Sequence, residues 1–255
     1  MTRRRWIADE VAGNTAALVG DHATHLARVL RAHVGDEFDI ATGSEIRRGT
    51  ITTINFDRVE FTLGHNRQPL KSRLKSEHGR DSNITLALAI FKFDRMEWAI
   101  EKCTEIGVSR IIPVIARRTD AHLASAAAKR HERWQRIARQ ASEQSRRSGP
   151  PEISPPAKLK ALADTAVLPA ELLTRIVLTE TLAEAEDDTR LGNVLQSRQS
   201  PSEVALAIGP EGGWVEAELT WFHEAGWNAA SLGATILRAE TAAIVATALA
   251  LEALG

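Results

Sequence analysis

The stretch VALAIGPEGGW, residues 204–214, places one carboxylate, Glu211, among Gly209, Pro210, Gly212 and Gly213, directly after five apolar residues. Two other segments end an apolar run in reactive or polar side chains. RIVLTE (175–180) closes on Thr179 and Glu180, and SLGATILRAETAA (231–243) carries Arg238, Glu240 and Thr241. A lone carboxylate in such a loop can take a proton or anchor loop amides and cations. An arginine beside it can stabilise developing negative charge. Glycine admits positive φ and lets a ligand approach the main chain, and proline fixes one dihedral. GPEGG is therefore a stiff, bare-backbone loop suited to gripping a flat or polar ligand through N–H and C=O groups. Taken alone, it also reads as a plain glycine–proline turn closing a strand.

Several other chemistries have no support. The chain has no G-x-G-x-x-G opening a helix, no G-x-x-x-x-G-K-[ST] and no G-x-S-x-G. Its single cysteine, Cys103, falls on an apolar helical stripe and reads as core packing. His22 and His25 lack a second pair of ligands at zinc spacing, so no metal site is expected. One cysteine, no secretory signal and no apolar run of membrane length point to a cytoplasmic protein away from membranes.

The 255 residues carry a net charge of −1, but the charge is segregated. Lys129, Arg130, Arg133, Arg136, Arg139, Arg146 and Arg147 face only Glu132 and Glu143 within 129–147, whereas residues 180–203 hold six acidic residues against Arg190 and Arg198. A basic stretch of this kind can form a phosphate-binding face or a solvated helix face.

The elements that must hold these residues follow from periodicity. Residues 37–41, 49–54 and 59–63 read as short strands, with a helix over 24–31, so 1–70 is expected to form a small β-barrel-like domain. Residues 64–83 are polar and aperiodic, and 71–83 is read as a linker. From Ile84 on, strands (84–91, 110–116, 175–180, 204–209, 229–233) alternate with helices (94–107, 131–147, 215–225, 237–254), the pattern of an α/β domain over 84–255 with a parallel sheet. In such sheets ligands bind beyond the carboxyl ends of the strands, where the three segments above fall.

Gly209-Pro-Glu-Gly-Gly213 with Leu232-Gly233…Ile236-Leu237-Arg238-Ala239-Glu240-Thr241-Ala242 resembles the RsmE-type 16S ribosomal RNA methyltransferases of the SPOUT superfamily, which methylate N3 of a uridine. Lys92…Asp94-Arg95-Met96-Glu97, Glu101-Lys102…Thr104-Glu105-Ile106-Gly107-Val108, Arg133-Trp134…Glu143-Gln144-Ser145…Arg147 and His25-Leu26…Val29-Leu30-Arg31 extend the resemblance over most of the chain. It implies an amino-terminal PUA-like β-barrel, a SPOUT α/β methyltransferase domain with a carboxyl-terminal trefoil knot, and a cytoplasmic homodimer. It further implies S-adenosylmethionine held by Thr179, Glu180, Ile208, Gly209, Glu211, Gly212, Gly213, Leu232, Ile236, Leu237 and Thr241. The expected partner is 16S ribosomal RNA or a small ribosomal subunit particle, met by Arg3, Arg4, Arg5, Arg28, Arg31, Arg133 and Arg147. Glu211, Arg238 and Arg95 are the catalytic candidates, Glu211 as base or as anchor.

Departures from the family pattern are Phe93 in place of glycine, Thr235 in place of arginine, and Val215 where serine often caps the next helix. The last is expected to cost that helix about 1 kcal/mol. A ribose 2′-O-methyltransferase and a non-catalytic assembly factor are the alternatives. The first lacks its usual Asn-x-Gly…Arg pattern here, and the second does not need all three loops.

Overall fold

The structure, a computed structural model, describes residues 5–43, 45–69, 83–147, 149–164, 168, 173–180, 189–197 and 203–254. The chain forms two compact units, one of residues 1–73 with 142–149 and one of 74–141 with 150–255.

The first unit is a six-stranded sheet in the order β1-β4-β5-β6-β3-β2. Its strands are β1 (Arg5–Ile7), β2 (Glu10–Ala12), β3 (Thr15–Val19), β4 (Glu37–Ala41), β5 (Glu45–Ile54) and β6 (Arg58–Pro69). All neighbours are antiparallel except β1 with β4. Strands β1, β3, β4, β5 and β6 supply Trp6, Leu18, Ile40, Ile51, Val59, Phe61 and Leu63 to one core, which Leu26 joins from the segment after β3. Gly49 is required by packing, since a Cβ there would lie 2.5 Å from Ile40. The polar, aperiodic stretch from residue 64 begins as strand: it continues β6 through Pro69, paired to Glu45–Arg47, and residues 70–82 lie outside the described residues. The single expected helix starts earlier and is broken into α1 (Asp21–Thr24) and a π-helical turn (His25–Val29). Ser142–Gly149 packs with this unit: the buried carboxylate of Glu143 accepts from Ile7 N at 3.5 Å.

The second unit is a parallel sheet in the order β10-β8-β7-β12-β11-β13, with β9 also on β8. These strands are β7 (Asn83–Ala89), β8 (Arg110–Ile115), β9 (Glu152–Ile153), β10 (Ala157–Lys158), β11 (Leu173–Leu178), β12 (Glu203–Ile208) and β13 (Asn228–Ala230). Its helices are α2 (Phe93–Ile106), α3 (Ala121–Gln144), α4 (Leu191–Gln196), α5 (Glu216–Glu224) and α6 (Ala239–Leu254). Continuous apolar strands are what a sheet covered on both faces requires. Side chains alternate across it. Ile84, Leu86, Leu88, Val204, Leu206 and Ile208 join one core with α2 and α6, while Ala87, Ala89, Ala205 and Ala207 face Trp214, Phe222 and Trp227 on the other. Small residues on that face make room for the three large rings, with Trp214 and Trp227 in T-shaped contact with Phe222 at 4.9 and 5.1 Å.

On α2 the buried stripe is Met96, Ala99, Ile100 and Cys103, and Gly107, at φ 135, ends the helix by donating to the Cys103 carbonyl. The Thr247 hydroxyl of α6 donates to the Ala243 carbonyl and lies 3.5 Å from Cys103 Sγ, joining α6 to α2. Burial pushes the Cys103 thiol up to about 12. In the unfolded chain this thiol ionises near 9, so folding keeps its proton. Stability should therefore hold below pH 9 and fall above it, by roughly 1.4 kcal/mol per pH unit from this group. Urea unfolding at pH 8, 9 and 10 in the protein and in Cys103→Ala checks this; a pH slope unchanged by the substitution would contradict it.

Candidate functional site

Because β12, β11 and β13 are neighbours in one parallel sheet, the chain leaves all three at the same edge. The loops after them, at 179–180, 209–215 and 231–238, enclose one cavity of about 380 Å³. Of the residues assigned to a cofactor from sequence, Thr179, Glu180, Ile208, Gly209, Glu211, Gly212, Gly213, Leu232, Ile236 and Leu237 line this cavity. Thr241 does not; it sits in the first turn of α6. Ile236 is 72% exposed, a high value for an isoleucine in a cavity wall.

The glycine loop is built rather than loose. Gly213 N donates to the Pro210 carbonyl at 2.8 Å, and Gly213 adopts φ 68. The indole N–H of Trp214 donates to the Leu178 carbonyl at 3.2 Å, tying the loop to the end of β11. A Cβ on Gly209 would meet Trp214 Nε1 at 3.3 Å, so glycine is what lets the indole close down. Gly212 is different. Its φ is not positive, and a Cβ there would meet only the flexible Arg118 Cδ at 3.3 Å. The left-handed conformation anticipated for this loop falls on Gly213, with a second positive φ, 121, at Gly233 across the cavity.

The α5 start is also better held than Val215 suggests. Glu218 accepts from Val215 N at 3.0 Å through one oxygen and from Arg117 N at 2.7 Å through the other. The side chain three residues in thus caps the helix in place of a serine. Glu218→Ala should lower stability by about 2 kcal/mol through the loss of two charge-assisted bonds, read as a shifted urea midpoint. An unchanged midpoint would mean the cap carries no weight.

At the cavity mouth Arg95, from the first turn of α2, donates to Glu211 Oε1 at 2.9 Å and lies 3.8 Å from Glu240. Glu240 is buried, and its Oε2 has no hydrogen-bond partner among the described residues. Arg118, after β8, also lines the cavity and donates to the Gly212 carbonyl. Its loop is pinned by Thr119 Oγ1, which donates to the Ile90 carbonyl at 3.2 Å and accepts from Ala116 N at 3.1 Å. Arg118 was not singled out from sequence. Nothing in its neighbours along the chain marks it, and its position follows from the adjacency of β8, β7 and β12. Arg238 is exposed, lines the cavity and has no ion-pair partner among the described residues.

Arg3 and Arg4 lie outside the described residues. Arg5 donates to the Arg146 carbonyl. Arg28 and Arg31 are exposed on the first unit. Arg133 forms a two-pronged bond to Glu97 at 2.7 and 2.8 Å, so its guanidinium is committed within the protein. Arg147 is half-buried, which pulls its guanidinium down to about 10. Phe93, the departure from glycine, packs edge-on to Trp134 at 6.0 Å under Arg130, filling the space between α2 and α3.

Residues 79–251 match the family model of the RNA methyltransferase domain. A ribosomal RNA small subunit methyltransferase E from Rickettsia conorii is 32% identical over 96% of this chain and 93% of its own length. One from Synechocystis is 30% identical over 94% of this chain and 74% of its own. A crystal structure of a ribosomal RNA small subunit methyltransferase E from Neisseria gonorrhoeae bound to S-adenosyl methionine superposes with TM-score 0.80, at 29% identity, over 96% of this chain and 95% of that one. The fold and site are thus those of an RNA methyltransferase. Within that class, the chain belongs to the ribosomal RNA small subunit methyltransferase E family. Among the described residues no helix is long and apolar enough to cross a membrane.

Proposed function

We propose that this protein uses S-adenosylmethionine to methylate N3 of a uridine in 16S ribosomal RNA. The observation that carries the reading is the convergence of three glycine-bearing or polar strand ends on one cavity. The donor set fits the cofactor. Gly209, Gly212, Gly213 and Gly233 line the space without side chains, which suits the adenine and ribose edges, and apolar Leu178, Ile208, Leu232 and Leu237 suit the flat ring. Bound there, the cofactor supplies an electrophilic methyl group.

The protein's own task is to hold the uracil in line, remove the N3 proton and stabilise the anion. Arg238, exposed at the cavity and without an ion pair among the described residues, is the cation for charge developing on the uracil oxygens. Arg95 and Glu211 form an ion pair, which supports Glu211 as the anchor of the glycine loop rather than the base. Glu211→Gln then reduces cofactor affinity and turnover together; turnover lost alone would make Glu211 the base.

The first unit, with Ser142–Gly149 packed in it, acts as a PUA-like RNA-binding domain, and the second unit acts as the catalytic domain. A trefoil knot fits the path of the last segment. Ser231 is clasped by Thr189 and Leu191 through main-chain bonds before the chain reaches α6, which packs back on α2. The protein works as a cytoplasmic homodimer on ribosomal RNA or the small subunit. Transfer of labelled methyl from S-adenosylmethionine to small subunits from a strain lacking this gene tests the reading. Labelling of the RNA is expected, and its absence with correctly folded protein would refute it.

A further inference from the structure

The first unit displays an aromatic ring where a soluble surface has no use for one. Phe56, at the turn between β5 and β6, is 78% exposed, the most exposed large apolar side chain among the described residues. Exposed apolar groups set among cations mark interaction sites. The turn is rigid: Asn55 N donates to the Arg58 carbonyl at 2.8 Å, and Gly20 N donates to the Asp57 carbonyl at 2.7 Å. The Arg28 guanidinium stands 4.7 Å from the ring centroid, within cation–π range, yet leaves the ring open.

Arg28 comes from a segment with its own irregularities. His25–Val29 is a π-helical turn, closed by Leu30 N donating to the His25 carbonyl at 3.1 Å. Arg31 follows at φ 51, a conformation unfavourable for a residue with a side chain. π-turns and strained dihedrals concentrate at functional sites. The turn keeps Leu26 in the core but leaves Val29 64% and Leu30 49% exposed. It turns two arginines and two apolar side chains outward together.

We propose that Phe56 and Arg28 form a stacking platform for an unpaired nucleobase of the RNA substrate, flanked by Arg31 for the adjoining phosphate. This rests on the reading of the protein as an RNA methyltransferase and names a contact on the first unit for that substrate. An open aromatic face beside guanidinium groups is the chemistry by which single-stranded RNA is held without reading its sequence, because every base has a π face. A protein partner would match the apolar groups but gives no role to paired arginines.

The test measures binding of a labelled oligouridylate and of an RNA duplex to the full-length protein by fluorescence anisotropy. Phe56→Ala should weaken single-strand binding about tenfold, duplex binding little, and S-adenosylmethionine affinity not at all. Phe56→Leu should be as weak as alanine, and Phe56→Trp should restore binding, since only a ring stacks. Arg28→Gln should lower affinity and reduce the salt slope by about one counterion. Phe56 is exposed, so its variants keep the parental unfolding midpoint. Alanine or leucine binding oligouridylate like the parent would overturn the platform and leave methyl transfer untouched as a separate result. Conversely, a parent that binds single strands through Phe56 yet transfers no methyl would refute the proposed function and not the platform.

Discussion

Arg238→Ala is expected to lower turnover by about a hundred- to a thousandfold while S-adenosylmethionine binds as in the parent. The effect is electrostatic. Uridine N3 must lose its proton before or during transfer, and the charge left spreads to the ring oxygens. A fixed cation at the cavity acts on the transition state far more than on the neutral base. Arg95 and Arg118 also line the cavity, but Arg95 is paired to Glu211 and Arg118 to the Gly212 carbonyl. Arg238 has no ion pair among the described residues, and its backbone carbonyl already accepts from Ala242 N at the start of α6. Its side chain is therefore not needed for the helix. Single-turnover rates with calorimetry of the cofactor separate the two effects. Equal losses of affinity and rate would assign Arg238 to cofactor binding instead.

Gly213→Val should weaken S-adenosylmethionine binding by at least about tenfold. Gly213 sits at φ 68 and carries the turn that places Glu211 and Gly212 at the cavity. A β-branched residue at that dihedral costs on the order of 1–3 kcal/mol, which the loop would relieve by leaving its shape. Gly212→Ala is the internal control. Its backbone is unstrained, and its only close neighbour is the movable end of Arg118. Alanine there should bind the cofactor within about threefold of the parent. Comparable losses in both variants would mean that space, not backbone conformation, governs the loop.

The two glycines show where sequence reasoning stops. That a bare loop follows β12 was legible, because five apolar residues in a row describe a strand covered on both faces and three glycines within five residues describe its end. Which glycine is left-handed was not legible, since φ depends on the Gly213–Pro210 bond and the Trp214 anchor across to β11. Convergence of the three loops followed from the parallel-sheet pattern. Arg118 did not, because its approach to Gly212 crosses β7, which lies between β8 and β12. In the first unit β1 and β2 have three residues each, too few to show alternation, and β3 has five around a run of alanines. The first ten residues of α3 escape for a related reason: HLASAAAK has four alanines and one large apolar residue, so its core face, Leu123 and Ala127, does not stand out. The helix start at Val215 looked uncapped because the compensating Glu218 also serves Arg117, a partner about a hundred residues away.

The most direct test of the account is the chemical identity of the product. Purified protein, S-adenosylmethionine and small ribosomal subunits from a strain lacking the gene are incubated, and the 16S RNA is digested to nucleosides for mass spectrometry against standards. One 3-methyluridine per 16S RNA, absent without the protein and absent with Arg238→Ala at the same reaction time, is the predicted result. A methyl on a ribose 2′-oxygen or on another base, or RNA that gains none, would contradict it.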